Sequence, residues 1–375
     1  MNIKFFNTHP KKTYIVSCIA IIFFFTSSLR ALDSSIFYEK LKNPIPKWMK
    51  EQIDEDLKPF TTELSKKNLD QIFEADRFCT FRIRVVNGEM TVQKGNCCMI
   101  HGAANSIIPH FQGLHHIAPL PDLDILISAG DGIGCHPNGP AFPIFTISKC
   151  KEDKGVILIP DWFALHGYEP EKSMVLSGNN KYPWKYKKNI LFFRGGDSGI
   201  QDSSSFNTWK QSPRPQLVAL SLKYPQLIDA KFALGLHCRH LFEQAKAEGF
   251  IGDYVSMQEY IQYKYLIDLD GNCASAPRLG LILHSNCVVL KAITNSVQWF
   301  YKALKPNVHF IPIKEDLSDL FTKMSWAQEH PQECFQISRN ARDLADNVLS
   351  REAIYEYLYR LLNEYSKKQQ EQYAL

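Results

Sequence analysis

The alternation of apolar runs with helical patterns is the feature that most constrains how this chain can fold. Short, nearly continuous apolar runs are typical of parallel strands that are covered on both faces. The first half contains FRIRVV, DILIS, FPIFTIS and GVILIPD, and the second half contains NILFFRG, YKYLIDL, CVVLK and VHFIPI. Helical patterns lie between them at 213–223, 276–284 and 317–327. The sequence therefore predicts an α/β fold, with the strand and helix pattern occurring twice.

The length of the chain favours two domains. Its 375 residues exceed the size at which a single hydrophobic core usually stops growing. The polar, basic stretch 177–189 lies between the two sets of strands and is the best candidate for a linker. We therefore predict a first α/β domain over residues 32–180 and a second over residues 181–345.

The two ends of the chain carry their own patterns. Residues 1–31 place lysines ahead of an apolar stretch, which predicts a secretory signal peptide or an uncleaved signal anchor. Export or membrane anchoring is therefore expected. Residues 346–375 predict a C-terminal amphipathic helix with one buried face. That face carries Ile354, Leu358, Leu361, Leu362 and Tyr365.

Charge and cysteine spacing exclude two classes of function. The 43 basic and 39 acidic residues leave a net charge of +4, too small and too scattered to predict a nucleic-acid partner. The ten cysteines show no CxxC pair, so no zinc site is expected. In an exported protein Cys79 can pair with Cys97 or Cys98 across a hairpin, and free buried thiols are an equally open alternative.

Two arginines follow the first strand of the second set. The segment NILFFRGGDSG ends a strand in Arg194, followed by Gly195 and Gly196, and SPRPQLVALSL places Arg214 in the first turn of a helix. Ligands of open parallel sheets bind at the carboxyl ends of strands, where guanidinium groups suit a phosphate. The alternative is that each arginine simply pairs with a nearby carboxylate such as Asp197.

A second strand end has the form of a nucleotide-binding βαβ unit. It is YKYLIDLDGNCASAPRLGLILHSNCVVLK. Ser275 can cap the helix while the backbone N–H groups of 273–276 and the side chain of Arg278 face a diphosphate. The plainer alternative is that Ser275 is only an N-cap residue.

A third strand end delivers one carboxylate. The segment LPDLDILISAGDGIG places Asp131 on a turn between Gly130 and Gly132. Aspartate is also common as a turn-forming residue, so catalysis and a structural role both stay open.

Two DxD triplets, Asp122-Leu-Asp124 and Asp268-Leu-Asp270, invite a metal-dependent interpretation, because carboxylates two apart on a strand share a face. The arginines and the helix terminus already offset a diphosphate charge, so no metal is expected.

Five segments in order resemble the glycosyltransferase family 90, the capsule-associated and protein O-glucosyltransferase-like enzymes. They are LPDLDILISAGD, FPIFTISK, YPWKYKKNILFFRGG, the βαβ segment above and LKPNVHFIPIKEDLSDL, within a resemblance that covers about residues 54–365. The resemblance implies a GT-B architecture, with two Rossmann-like domains facing a cleft. It also implies inverting transfer from a UDP-sugar, with no essential metal and no other cofactor.

The resemblance assigns roles to residues. Asp131 falls where the family has its general base. Gly196, Arg214, the stretch 272–275 and Arg278 fall where the family holds the nucleotide diphosphate and the sugar. Arg194 and Gly195 are added from the strand end described above. These predicted donor-binding residues are Arg194, Gly195, Gly196, Arg214, Asn272, Cys273, Ala274, Ser275 and Arg278.

The expected function is an inverting, UDP-sugar-dependent glycosyltransferase, with glucose or xylose favoured. Its expected acceptor is a hydroxyl of a surface glycan such as lipopolysaccharide or capsule. The alternatives are a protein O-glucosyltransferase that acts on Ser or Thr of a folded domain, and a non-catalytic protein that binds a nucleotide sugar or a glycan. The expected partners are the UDP-sugar donor and the glycan or protein acceptor.

Overall fold

A computed structural model describes residues 32–75, 78–97, 100–134, 141–233 and 236–373. The predicted signal segment, residues 1–31, lies outside this part of the chain. Within it, no helix combines the length and the apolar character that crossing a membrane requires.

The described residues hold two five-stranded sheets, and each sheet with the helices listed beside it is called a domain below. The first domain has a mixed sheet. Its elements are α1 (Ser34–Lys42), α2 (Lys47–Leu57), α3 (Lys66–Glu74), β1 (Thr80–Val86), β2 (Glu89–Lys94), α4 (Ile100–Ile117), β3 (Leu123–Ser128), β4 (Ile144–Thr146), β5 (Lys149–Cys150), β6 (Val156–Leu158) and α5 (Trp162–Leu165). The strand order is β2-β1-β3-β4-β6. Strand β1 is antiparallel to both neighbours, whereas β3, β4 and β6 run parallel. A disulfide joins Cys79 to Cys97 across the β1–β2 hairpin, which confirms the pairing that the sequence allowed.

The second domain contains a fully parallel five-stranded sheet. Its elements are α6 (Glu171–Lys181), β7 (Lys188–Gly195), α7 (Phe206–Trp209), α8 (Pro213–Lys223), β8 (Ile228–Phe232), α9 (Phe242–Ala247), α10 (Met257–Tyr260), β9 (Tyr263–Asp268), α11 (Arg278–Leu283), β10 (Val288–Ile293), β11 (Ser296–Val297), β12 (Ile311–Lys314), α12 (Leu320–Glu329) and α13 (Pro331–Val348). The strand order is β8-β7-β9-β10-β12. The order reverses between β7 and β9, which is the topological switch point of a flavodoxin-like sheet.

Contacts of several kinds join the two domains. Strands β5 and β11, one from each domain, form a small antiparallel pair. The backbone N–H of Ala274 donates to the hydroxyl of Ser148 at 3.2 Å. The last helix, α14 (Arg351–Tyr373), follows the second domain but packs on the first, where the Tyr365 hydroxyl donates to the backbone carbonyl of Asp124 at 3.1 Å. All five residues of its predicted apolar face are fully buried.

Each predicted strand run contains a strand, and the α/β fold class is confirmed. The predicted linker is wrong. Residues 177–189 hold the end of α6, a 3-10 turn at Trp184–Tyr186 and the start of β7. Helix α6 packs closely on the segment that precedes β9, since a Cβ atom on Gly178 would lie only 2.6 Å from the Ile261 side chain. A polar composition here marks the outer face of packed elements and not a flexible connection.

Candidate active site at the strand ends

A cavity of about 530 Å³ opens at the carboxyl ends of β7 and β9, beside the switch point. Open parallel sheets bind ligands at this position. The cavity is lined by Gly196, Ser198, Arg214, Leu236, His237, Arg239, Ser275, Ala276, Pro277 and Arg278. The lining contains three arginines and a histidine but no aspartate or glutamate, so the cavity suits an anionic group.

Gly195 allows Arg278 to lie across the end of β7. A Cβ atom on Gly195 would be 2.4 Å from an Nη atom of Arg278, so a side chain there would displace the guanidinium. The guanidinium lies over the ring of Phe193, with its central carbon 4.3 Å from the ring centroid. Its Nη1 is buried and has no hydrogen-bond partner among the described residues. An unpaired buried donor of this kind is unfavourable until an acceptor satisfies it.

Arg214, on the first turn of α8, ties the ends of β7 and β9 together. Its Nη1 donates to the Gly196 carbonyl at 3.1 Å and to the Ser198 hydroxyl at 2.6 Å. Its Nε and Nη2 donate to the carbonyls of Asp270 and Leu269, each at 3.0 Å. Burial, together with the charge of Arg278, lowers the pKa of Arg214 to about 9.

Sequence analysis missed His237 and Arg239, which reach the cavity from the loop after β8. The buried carboxylate of Asp197 holds this loop, because it accepts the backbone N–H of His237 and, at 3.3 Å, that of Cys238. The same carboxylate accepts the indole N–H of Trp209 at 3.0 Å. The segment GLHCRH has no helix or strand periodicity, and only its position after a strand would have indicated a role.

Ser275 does not cap a helix, so that prediction is wrong. Helix α11 begins at Arg278 with Pro277 at its N-cap position. The Ser275 hydroxyl instead donates to the fully buried carboxylate of Asp268, whose other oxygen lies 3.1 Å from Lys291 Nζ. The buried carboxylate takes the hydroxyl because it needs hydrogen-bond donors beyond the lysine.

The remaining predicted residues of this loop position its backbone. The Asn272 side chain accepts the backbone N–H of Gly199 at 3.1 Å. Gly199 has φ +81°, and a Cβ atom there would lie 2.6 Å from the Gly271 carbonyl oxygen, so the two loops approach as backbone to backbone. Cys273 is a free thiol in this loop, and Ala274, buried beside it, bonds across to the first domain as described above.

Asp131 lies next to this loop, at the carboxyl end of the fully buried strand β3. Burial, then the charge of Asp131, raises the pKa of Cys273 to about 12. The neighbouring Gly132 approaches the carbonyl oxygen of Ser148, the residue that bonds Ala274. The Asp131 side chain is nevertheless exposed. One exposed carboxylate of the first domain thus lies beside the loop that borders the arginine-lined cavity of the second.

Arg194 lies apart from the cavity. Its Nη2 is 2.7 Å from Asp229 on β8, and its Nη1 donates to the Phe193 carbonyl at 2.9 Å. The guanidinium also covers the ring of Phe192. The structure therefore pairs Arg194 with a carboxylate, as the alternative interpretation held, although with Asp229 and not with Asp197.

The carboxylates of both DxD triplets already have partners. Asp124 receives two hydrogen bonds of 2.6 Å from Arg82, and Asp122 accepts the backbone N–H of Asn87 at 2.8 Å. Asp270 accepts the Thr294 hydroxyl at 2.5 Å, and burial raises its pKa to about 6. In the described ranges no three His, Cys, Asp or Glu side chains form a group suited to a metal ion.

Comparison with known proteins places the chain in a family. Residues 44–374 match Glycosyl transferase family 90. The chain belongs to this family. Human protein O-glucosyltransferase 3 is 31% identical over 259 residues, which is 67% of this chain and 48% of the relative. Human protein O-glucosyltransferase 1 is 26% identical over 334 residues, covering 84% of this chain and 79% of the relative.

The chain thus spans about half the length of the first of these family 90 relatives. Among solved structures, Anabaena HepE in complex with UDP and glucose is similar at a TM-score of 0.36 and 11% identity, over 58% of this chain and 61% of the other. Sucrose-phosphate synthase from Thermosynechococcus elongatus is similar at a TM-score of 0.38 and 11% identity, over 57% of this chain and 53% of the other.

Proposed function

We propose that this family 90 protein is an inverting glycosyltransferase that moves a sugar from a UDP-sugar to a hydroxyl group, with Asp131 as general base. One observation carries the proposal: an exposed carboxylate of the first domain lies beside the loop that borders a cavity of the second domain, and the charged residues that line this cavity are all arginines. A base and an anion-binding cavity on either side of one cleft are what a single displacement between an alcohol and a sugar diphosphate requires.

The reaction follows from this arrangement. Asp131 accepts the proton of the acceptor hydroxyl while its oxygen forms a bond to the anomeric carbon. The bond from that carbon to the phosphate oxygen breaks, and UDP leaves with the electron pair. The cationic side chains of the cavity stabilise the charge that develops on the diphosphate, which commonly lowers the barrier more than any other single contribution. The UDP-sugar is a substrate, and the proposal includes no metal or other cofactor.

The names of the relatives favour a protein acceptor. They are protein O-glucosyltransferases, which supports transfer of glucose to a protein hydroxyl. The Cys79–Cys97 disulfide supports an oxidising compartment and therefore export. The surface-glycan acceptor, xylose as donor sugar and the N-terminal membrane anchor stay predictions from the sequence.

The Asp131→Asn substitution tests the proposal. It keeps the size of the side chain but removes the base, so we expect UDP release from UDP-glucose in the presence of acceptor to fall by ~10²-fold or more. The affinity for UDP should stay within a few-fold of wild type, because the substitution leaves the cavity intact.

Asp122→Asn is the matched control, because Asp122 is an exposed aspartate at the other end of the same strand. Turnover of Asp131→Asn at a rate near that of wild type would show that Asp131 is not the base.

If wild-type protein binds UDP but transfers glucose to neither a folded Ser/Thr-containing domain nor a lipopolysaccharide glycan, the non-catalytic alternative takes the place of the proposed transferase. Comparing kcat/KM for UDP-glucose and UDP-xylose tests the donor sugar.

A further inference from the structure

The three arginines of the cavity differ in how many of their N–H groups are free. A guanidinium has five N–H donors. In Arg214 one donor on Nε, two on Nη1 and one on Nη2 are bonded, which leaves one. These bonds run to the loops after β7 and β9. Arg214 therefore uses four of its five donors to hold the loops that form the cavity wall.

Arg278 has the opposite arrangement. Its guanidinium stacks on the Phe193 ring, and the absence of a side chain at Gly195 leaves space for it. Stacking and not polar contacts therefore sets its orientation. Its buried Nη1 has no hydrogen-bond partner among the residues that the structure describes. A side chain fixed by stacking, with donors left over, is ready to bind an oxygen anion without first breaking other bonds.

Arg239 is the third guanidinium. It begins a single 3-10 turn, Arg239–Leu241, lines the cavity and is exposed. It forms no ion pair with a carboxylate in the described part of the chain. The loop that carries it is held by the hydrogen bonds from His237 and Cys238 to Asp197. The backbone is thus anchored while the cation stays available.

We propose that Arg239 binds the diphosphate of the donor together with Arg278, which the family resemblance already placed there, and that Arg214 is a positioning residue that holds the two strand-end loops. This inference rests on the proposed function, since it assumes that a nucleoside diphosphate enters this cavity. It moves the phosphate-binding role from Arg214, where the sequence placed it, to Arg239, which the sequence did not single out.

The test compares UDP with uridine, which share a base and a ribose but differ in the diphosphate. Isothermal titration or ligand-detected NMR gives a dissociation constant for each, and their ratio isolates the phosphate contribution. Arg239→Ala should weaken UDP binding by about tenfold or more and leave uridine binding unchanged. Arg278→Ala should have an effect of the same kind.

Arg214→Ala should weaken UDP and uridine by a similar factor, and it should lower the melting temperature, because it loosens both loops. Arg214→Lys keeps the charge and serves if the alanine variant does not fold. Arg339→Ala is the matched control for loss of one positive charge, since Arg339 is exposed on α13 away from the cavity.

The outcomes separate the inference from the proposed function. If wild-type protein binds UDP but Arg239→Ala leaves the ratio unchanged, the assignment of Arg239 is wrong and the proposed function stands. If Arg214→Lys or Arg214→Ala changes the ratio while uridine binding stays the same, Arg214 binds phosphate directly and is not only a positioning residue. If wild-type protein does not bind UDP at all, both the donor in the proposed function and this inference fail.

Discussion

Among the described residues, each domain buries one lysine–aspartate pair, and the two pairs serve different parts of the molecule. In the first domain Lys149 Nζ lies 2.5 Å from Asp56, whose other oxygen accepts the backbone N–H of Leu158 at 2.9 Å. This pair fastens α2 to β5 and β6. In the second domain the partner of Lys291 is Asp268, whose other oxygen accepts the Ser275 hydroxyl at the cavity.

A buried lysine–aspartate ion pair can thus stabilise either the packing of the fold or the geometry of a site. Taking an ion pair out of water is costly, and such a pair adds little stability compared with apolar residues of similar size. The pair instead fixes the orientation of the groups around it, because every buried donor needs an acceptor. The Asp56 pair fixes the packing of a helix, whereas the Asp268 pair fixes the loop that faces the proposed diphosphate.

The largest expected effect comes from removing one member of each pair. Asp56→Ala and Asp268→Ala each leave a buried lysine unpaired, so each should lower the free energy of unfolding by about 3–5 kcal/mol. Only Asp268→Ala should also weaken UDP binding, because only Asp268 holds Ser275. Urea unfolding and UDP titration measure the two quantities.

Asp56→Asn and Asp268→Asn are milder variants that keep one hydrogen-bond acceptor, and they serve if the alanine variants do not fold. An equal loss of UDP affinity in the Asp56 and Asp268 variants would show that the Asp268 pair has no special role at the cavity, because the effect would then follow from general destabilisation.

The sequence predicted the strands and the family, but not the walls of the cavity. Continuous apolar runs report burial on two faces, and these runs marked the central strands correctly. Strand β8 escaped notice because its residues, IDAKF, alternate between buried and half-buried positions at the sheet edge. Because β8 was not predicted, the sequence could not indicate that the loop carrying His237 and Arg239 lies next to β7.

The contacts of individual side chains were the hardest to predict. Arg194 and Arg214 follow the same strand end by similar rules, yet one pairs with Asp229 and the other spans two loops. Which of these happens depends on the order of strands in the sheet, since β8 lies beside β7 and β9 on its other side. Strand order is a tertiary property that local sequence patterns do not contain.

The next largest effect concerns the cysteines, which differ between the domains. The first domain holds the Cys79–Cys97 disulfide, whereas Cys238, Cys273, Cys287 and Cys334 of the second are free. The bridge closes a loop with a sequence separation of 18 residues, so its loss should cost about 3 kcal/mol of unfolding free energy. A Cys79→Ala, Cys97→Ala double variant should therefore unfold at lower urea concentration yet bind UDP as wild type does. A weaker UDP affinity would show that the hairpin supports the cavity after all.

A smaller effect should appear on acidification. Burial, followed by the charge of His166, lowers the pKa of His110 in the first domain to about 3, and burial with the charge of Lys172 lowers that of His284 in the second to about 4. Below about pH 6.5 the unfolded chain protonates both histidines while the folded chain does not. The free energy of unfolding should therefore fall with decreasing pH, by roughly 1.4 kcal/mol per pH unit for each histidine at most.

Urea unfolding at pH 7, 6 and 5 measures this slope for wild type and for His110→Gln and His284→Gln. Each variant should show a shallower slope, and unchanged slopes in both would mean that neither histidine stays neutral in the folded protein. UDP affinity over the same range should not follow the slope, because neither side chain lines the cavity.

The smallest expected effect is that of a chelator. We predict that transfer from UDP-glucose continues in the presence of EDTA. In the second domain the carboxylates of Asp268 and Asp270 are occupied by Lys291 and by hydroxyl donors, and in the first domain Asp124 is held by Arg82. To reach Asp268 or Asp124, a divalent cation would have to displace a buried lysine or arginine and leave that side chain without its partner, which costs free energy. To reach Asp270, it would have to displace the Thr294 hydroxyl. Arg278 and Arg239 would supply the charge that a metal otherwise brings to a diphosphate. Complete loss of activity in EDTA, restored by Mn²⁺ or Mg²⁺ in the wild type but not in Asp270→Asn, would instead assign the second triplet to metal binding.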